Sequence, residues 1–157
     1  MMCLSVDPCK SNIALLVADI QQDKNTATVL YSTSCGCESK DLALFHKIVF
    51  QELKLVFSLY ELNLVTIEMQ PKGTHGRVYM HNLYNTNVQG MVYAMASLLD
   101  LKTAIVDPKE WHLVLKGQPK GIIMYKKMTL LLNVNNKYLL NTVHEYDALA
   151  ILISQFI

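Results

Sequence analysis

Charge is scarce in this sequence. Charged residues make up 17% of its 157 positions, and the two signs nearly cancel to a formal net charge of +1. So small a balance excludes nucleic-acid binding by global attraction; such a partner would need a local basic face. Cysteine is sparse as well. Cys3 and Cys9 flank one apolar run, and Cys35-Gly36-Cys37 is too tight for an ordinary zinc knuckle. The expectation is free thiols in a reducing, intracellular compartment, with no disulfide framework. No apolar run reaches the ~18 residues of a membrane span, and no stretch reads as a signal peptide, so no membrane partner is expected. Repeats, low-complexity tracts and linkers are also lacking. What is abundant is apolar residue, at 52%. That suits a well-buried chain with one domain over residues 1–157.

Against this apolar background, three acids stand out. Leu4-Ser5-Val6-Asp7-Pro8 is a largely apolar run that ends in a carboxylate and is stopped by proline. Glu68 ends the β-branched run Leu64-Val65-Thr66-Ile67, and Asp147 precedes Ala148-Leu149-Ala150-Ile151-Leu152-Ile153. A buried, unpaired carboxylate is costly, so each needs a cation, a donor network or a raised pKa. Taken alone, Asp7 or Glu68 suits an ordinary cap or salt bridge. Together, three separated acids on buried elements suggest a carboxylate cluster for divalent metal.

The chain in order predicts strands at 3–8, 13–20 and 26–33, joined by short turns as an antiparallel meander. The period then becomes helical over 39–60, through Leu42, Phe45, Val49, Leu53, Val56 and Tyr60. A strand at 64–68 follows a helix and is expected to run parallel to the first. Residues 69–77 form a basic loop with Lys72, His75 and Arg77, and a helix is expected near 79–99. A fifth strand spans 103–107, and Pro108 starts a helix. A second basic loop, 116–121, carries Lys116 and Lys120, and a helix near 122–133 carries Lys126 and Lys127. Residues 133–141 read as a polar turn, and 144–156 as a buried closing helix. Three strands, helix, strand, helix, strand, helices is the ribonuclease H-like order. It gives an α/β fold with a five-stranded mixed sheet, first three strands antiparallel, flanked by helices.

Four stretches carry a family resemblance. Leu4-Ser5-Val6-Asp7-Pro8, Val65-Thr66-Ile67-Glu68, Val106-Asp107-Pro108-Lys109-Glu110-Trp111 and His144-Glu145-Tyr146-Asp147-Ala148-Leu149-Ala150-Ile151 resemble, in order, motifs of the RuvC-type Holliday-junction resolvases. Glu68-Met69-Gln70-Pro71-Lys72 is similar to the virus-encoded, poxvirus-type branch. The resemblance implies a homodimeric, metal-dependent endonuclease that binds and cuts four-way (Holliday) DNA junctions, in recombination and repair. It implies two Mg²⁺ ions per active site, with Mn²⁺ as a substitute. Asp7, Glu68, Asp147 and His144 would hold them, and Lys72, His75, Arg77, Lys116, Lys120 and Lys127 would contact DNA phosphates. For a viral protein, the expected location is the host-cell site of viral DNA replication.

Some positions depart from the family pattern. His144 replaces the usual first acid of the closing helix; three residues from Asp147, it shares that face. Glu145 points elsewhere on a regular helix. Cys9 stands where glycine is usual after Asp-Pro. The family's catalytic lysine falls near the second basic loop, where Lys120, Lys126 and Lys127 compete. Lys126 is carried as the catalytic candidate, although Lys126 and Lys127 equally suit a solvated helix face. Two other functions fit these residues: a ribonuclease H-like nuclease acting on RNA or other branched DNA, and a non-catalytic module that binds DNA structure. Binding of junctions without cleavage in Mg²⁺ or Mn²⁺ would mark the latter.

Overall fold

In the computed structural model the described residues are 1–9, 12–36, 41–69, 77–109 and 133–156, with side chains described from 83 onward in the second helix. Strands β1 (Met2–Cys9), β2 (Asn12–Gln21) and β3 (Thr26–Gly36) form the antiparallel meander. Helix α1 (Leu42–Leu59) leads to β4 (Leu64–Glu68), α2 (Arg77–Leu98) leads to β5 (Lys102–Val106), and α3 (Val143–Ile153) closes the chain. Strand β4 runs parallel to β1, and β5 parallel to β4. Crossover helices between these strands make that direction possible.

The sheet has six strands, in the order β5-β4-β1-β2-β3-β6, rather than the expected five. The sixth, β6 (Asn133–Asn135), lies in the stretch read as a polar turn. Asparagine is disfavoured in strands, but only Val134 of the three is buried, and it pairs with Ala27 of β3. Three residues are too few to show an alternating pattern in sequence. The expected helix near 122–133 lies outside the described residues apart from Asn133, which starts β6.

Period-2 alternation along the strands sorts side chains to two faces. Leu4, Val6, Ile13, Leu15, Val17, Val65 and Ile67 point to α1 and α2. Helix α1 meets them with Phe45, Val49, Leu53 and Val56, spaced as one helical stripe. Its start is capped by Asp41, whose carboxylate accepts from the Ala43 and Leu44 N–H groups at 2.9 and 3.1 Å. On the opposite face Cys3, Ala14, Leu16 and Ala18 pack against α3. Helix α3 crosses β1 and β2 and buries Ala148 through Ile153 without a break. A bulge opposite Val17 and Ala18 leaves Leu30 of β3 out of register.

Candidate active site

Asp7 lies near the end of β1, on the face that α3 covers, and is 6% exposed. Its register partner across the antiparallel pair is Ala14, a residue small enough to let a helix approach. The parallel register pairs Val6 with Ile67, so Glu68 follows beside Asp7 on the next strand. Adjacent strands are about 4.8 Å apart, and residues in register share a face. The register therefore places the two acids on neighbouring inner strands, at the end of the sheet where β1 and β4 finish.

Helix α3 supplies the other groups. Its first turn is fixed by a reciprocal cap: the Thr142 hydroxyl accepts from the Glu145 N–H at 3.2 Å, and the Glu145 carboxylate accepts from the Thr142 N–H at 3.4 Å. With the start set, His144 and Asp147 face the sheet together. His144 Nδ1 lies 3.2 Å from Asp7 Oδ2. A carboxylate only accepts, so Nδ1–H donates to Asp7, which leaves Nε2 to carry the ring's lone pair or a second proton. Asp7, His144 and Asp147 each offer a ligand atom within 4.8 Å of the others. The hydrogen bond to Asp7 raises the His144 pKa above its usual value. Burial opposes this, and the charges of Asp7 and Asp147 add to it.

Donor chemistry tests whether the group suits a divalent cation. Two carboxylates and an imidazole converge, one of the carboxylates almost wholly out of water. Carboxylate oxygens are ligands for Mg²⁺, and imidazole is better suited to transition ions. The set therefore fits a hard divalent cation, with Mn²⁺ accommodated by the imidazole. Glu68 is not within the 4.8 Å group formed among the described residues. The neighbouring acid Asp107 accepts from the Lys109 N–H at 2.8 Å and so caps its own turn.

The other expected site residues fall elsewhere. Lys72, His75, Lys116, Lys120, Lys126 and Lys127 lie outside the described residues, and Arg77 begins α2. Glu145 points away from the cluster. It is 3% exposed and accepts from the Asn141 N–H at 2.6 Å and from Ser34 Oγ at 3.1 Å. Ser34 and Thr142 are additions that the sequence reading passed over. The signal for Thr142 was present: Thr142-Val143-His144-Glu145 is a capping-box pattern. Ser34 had none, because its role depends on which strand lies beneath the helix.

No protein-family model matches the chain, and no curated protein matches it in sequence. Solved structures do match. The chain is similar to RuvC of Thermus thermophilus in complex with a Holliday junction substrate, with a TM-score of 0.78 and 14% identity, over 99% of this chain and 93% of that one. It is similar to the yeast mitochondrial Holliday junction resolvase Ydc2 (TM-score 0.68, 12% identity, 98% and 78% covered). It is also similar to fowlpox virus resolvase in complex with substrate Holliday junction DNA (TM-score 0.59, 12% identity, 98% and 97% covered). The chain thus shares the α/β, ribonuclease H-like fold of these structures. The TM-scores do not set the chain nearer to the viral branch.

Proposed function

We propose that this protein is a metal-dependent, structure-specific endonuclease that resolves four-way DNA junctions by phosphodiester hydrolysis. One observation carries the reading: Asp7, His144 and Asp147 converge within 4.8 Å where β1 meets α3, in a fold whose solved examples include junction resolvases. A pure binding module has no need for two acids and a histidine converging beside a phosphate path.

Asp7, Asp147, His144 and Glu68 would hold two Mg²⁺ ions, with Mn²⁺ as a substitute. When bound, such ions activate water and stabilise the developing charge on attacking and leaving oxygens. The residues do the rest. Asp7 fixes the His144 ring through Nδ1, so proton exchange at this histidine falls to Nε2. Lys72, His75, Arg77, Lys116, Lys120 and Lys127 hold DNA phosphates, and Lys126 is the candidate for the catalytic cation near the scissile group. A homodimer would present two such sites to a junction that is itself nearly two-fold symmetric. Among the described residues no helix is long and apolar enough to cross a membrane. Burial raises the Cys3 thiol to about 11 and the Cys35 thiol to about 12, which keeps both unreactive; a reducing, intracellular location is part of the proposal. A viral origin would put the work at the site of viral DNA replication.

The test is incubation of the protein with a labelled four-way junction, a matched duplex and an RNA/DNA hybrid, with and without Mg²⁺. Cleavage of the junction alone, and only with the cation, is the expected result. Equal cutting of all three substrates would replace the reading with a general nuclease. Junction binding without cutting in Mg²⁺ or Mn²⁺ would replace it with a binding module.

A further inference from the structure

Three residues form one row across the sheet. Ser34 of β3 pairs with Ala14 of β2, and Ala14 pairs with Asp7 of β1. All three side chains point to α3, and two inter-strand steps separate Ser34 from Asp7 by about 10 Å. The first turn of α3 lies over this row and is attached at both ends. At one end His144 meets Asp7 at 3.2 Å. At the other, Ser34 Oγ meets Thr142 Oγ1 at 2.7 Å and Glu145 Oε1 at 3.1 Å.

Proton accounting fixes the direction of every bond at the Ser34 end. Glu145 can only accept, so the single Ser34 proton goes to it. Ser34 Oγ must then accept from the Thr142 hydroxyl, and Thr142 Oγ1 accepts in turn from the Glu145 N–H at 3.2 Å. The second Glu145 oxygen takes the Asn141 and Thr142 N–H groups. The result is a closed ring with one admissible polarity, half-buried at Ser34 and almost wholly buried at Glu145. Such a ring resists rotation or sliding of the helix start, because any shift leaves a buried carboxylate short of a donor.

We infer that Ser34, acting through Thr142 and Glu145, is a positioning residue that seats the first turn of α3 so that His144 and Asp147 converge on Asp7. The Ser34 hydroxyl acts through its bonds to Thr142 and Glu145. The inference rests on the cation-site part of the function proposed above, and its primary readout does not require cleavage. Groups that orient the ligands of a metal typically contribute ten- to a hundredfold in affinity.

The experiment titrates Mn²⁺ calorimetrically into the DNA-free full chain as wild type, Ser34→Ala and Ser34→Thr, with thermal melting and metal-free junction binding alongside. Ser34→Ala should bind Mn²⁺ about tenfold more weakly, with unchanged junction affinity. Ser34→Thr keeps the hydroxyl and should match wild type. Should Ser34→Ala fail to fold, Ser34→Cys, which keeps the volume but is a weak donor, is read in its place. Wild-type Mn²⁺ affinity in Ser34→Ala overturns the inference and leaves the nuclease reading standing, as does a Ser34→Thr defect equal to that of Ser34→Ala. A wild-type chain that binds Mn²⁺ yet cuts no junction overturns the nuclease reading and leaves this one standing. No Mn²⁺ binding by wild type overturns both.

Discussion

The two faces of the sheet are built from the same strands and differ in almost every other respect. Toward α1 and α2, β1 and its neighbours present Leu4, Val6, Ile13, Leu15, Val17, Val65 and Ile67, all buried and apolar. Toward α3, the intervening residues of β1, β2 and β4 include Cys3, Ser5, Asp7, Ala14, Ala18 and Thr66, small or polar and buried, together with the large apolar Leu16, Ile20 and Leu64. Large side chains fill the first face and hold two helices at ordinary packing distance. On the second, the small Ala14 and Ser34 beside Asp7 let α3 come close enough for side-chain-to-side-chain hydrogen bonds with the sheet. Alternation along one strand thus separates two tasks. Both faces bury an apolar core, but Asp7, His144 and Asp147 come together on the α3 face alone.

That division fails if a single residue on one face controls both tasks, and the largest expected effect tests it first. Asp7→Asn should abolish cleavage, a loss of several kcal/mol in transition-state stabilisation and so about a thousandfold or more in rate. Junction binding should persist or tighten, since one negative charge that would repel phosphate is removed. Folding should change by no more than about 1 kcal/mol, because the amide oxygen still accepts from His144 Nδ1. Junction cleavage, binding and melting measured on one preparation check all three. A folded variant that cuts at the wild-type rate would place the chemistry elsewhere.

The mirror-image change is Phe45→Ala on the opposite face. Phe45 is fully buried against the sheet and stacks edge-on to Tyr84, with ring centroids 5.1 Å apart. Its loss should cost about 3–5 kcal/mol of folding stability, by transfer and cavity terms together, while Mn²⁺ affinity of the folded fraction stays at the wild-type value. Denaturant melts and metal titration check this. A matching fall in metal affinity would mean that the faces are mechanically coupled through β1.

How much of this was legible depends on the kind of signal. The β1–β5 strands could be read from apolar runs and breakers, and they match to within a few residues: 26–33 was expected for β3, and Thr26–Gly36 is found. The extra residues of β3 are Ser34, Cys35 and Gly36, which carry no β pattern and owe their extension to pairing with Asn12, Ile13 and Ala14. Strand β6 was missed for a similar reason, since Asn133 and Asn135 are poor strand formers held by a neighbour. For the site, Asp7 and Asp147 were visible because an acid beside an apolar run is conspicuous. His144 was visible through its three-residue spacing from Asp147. Ser34 was not, because a lone serine acquires a role only when the helix lies over its strand.

A smaller effect is expected from Lys72 and Arg77, proposed above to hold DNA phosphates. Replacing Lys72 and Arg77 together with alanine should weaken junction binding and lower the slope of log affinity against log salt. For two lost phosphate contacts the slope should fall by about 2, at roughly 0.9 per contact. Binding measured across a salt series checks this. An unchanged slope would mean that neither residue neutralises a phosphate, and that the path of the DNA leaves the sheet by another edge.

The smallest effect belongs to His144 and depends on pH. In the metal-free protein the hydrogen bond to Asp7 raises the His144 pKa, burial opposes this, and the charges of Asp7 and Asp147 add to the rise. A group whose folded pKa is raised contributes stability that is fully present below its unfolded value, about 6.5 for histidine, and is lost as pH rises through the folded value. Wild type should therefore exceed His144→Ala in stability most clearly near pH 5.5, with the difference shrinking toward pH 8.5. His144 is about one-third exposed, 35% for its side chain, so solvent screening keeps the difference small. The same proton competes with metal, so Mn²⁺ affinity of wild type should rise with pH over that interval, while that of His144→Ala should rise less. Asp147→Asn should weaken metal binding more than His144→Ala, because a carboxylate holds a hard cation better than neutral imidazole does. Melting curves and metal titrations at pH 5.5, 7 and 8.5 check these expectations together. A stability difference that grows with pH would show that the Asp7–His144 contact is made by neutral imidazole alone, and that the α3 face gains nothing from the charge on its histidine.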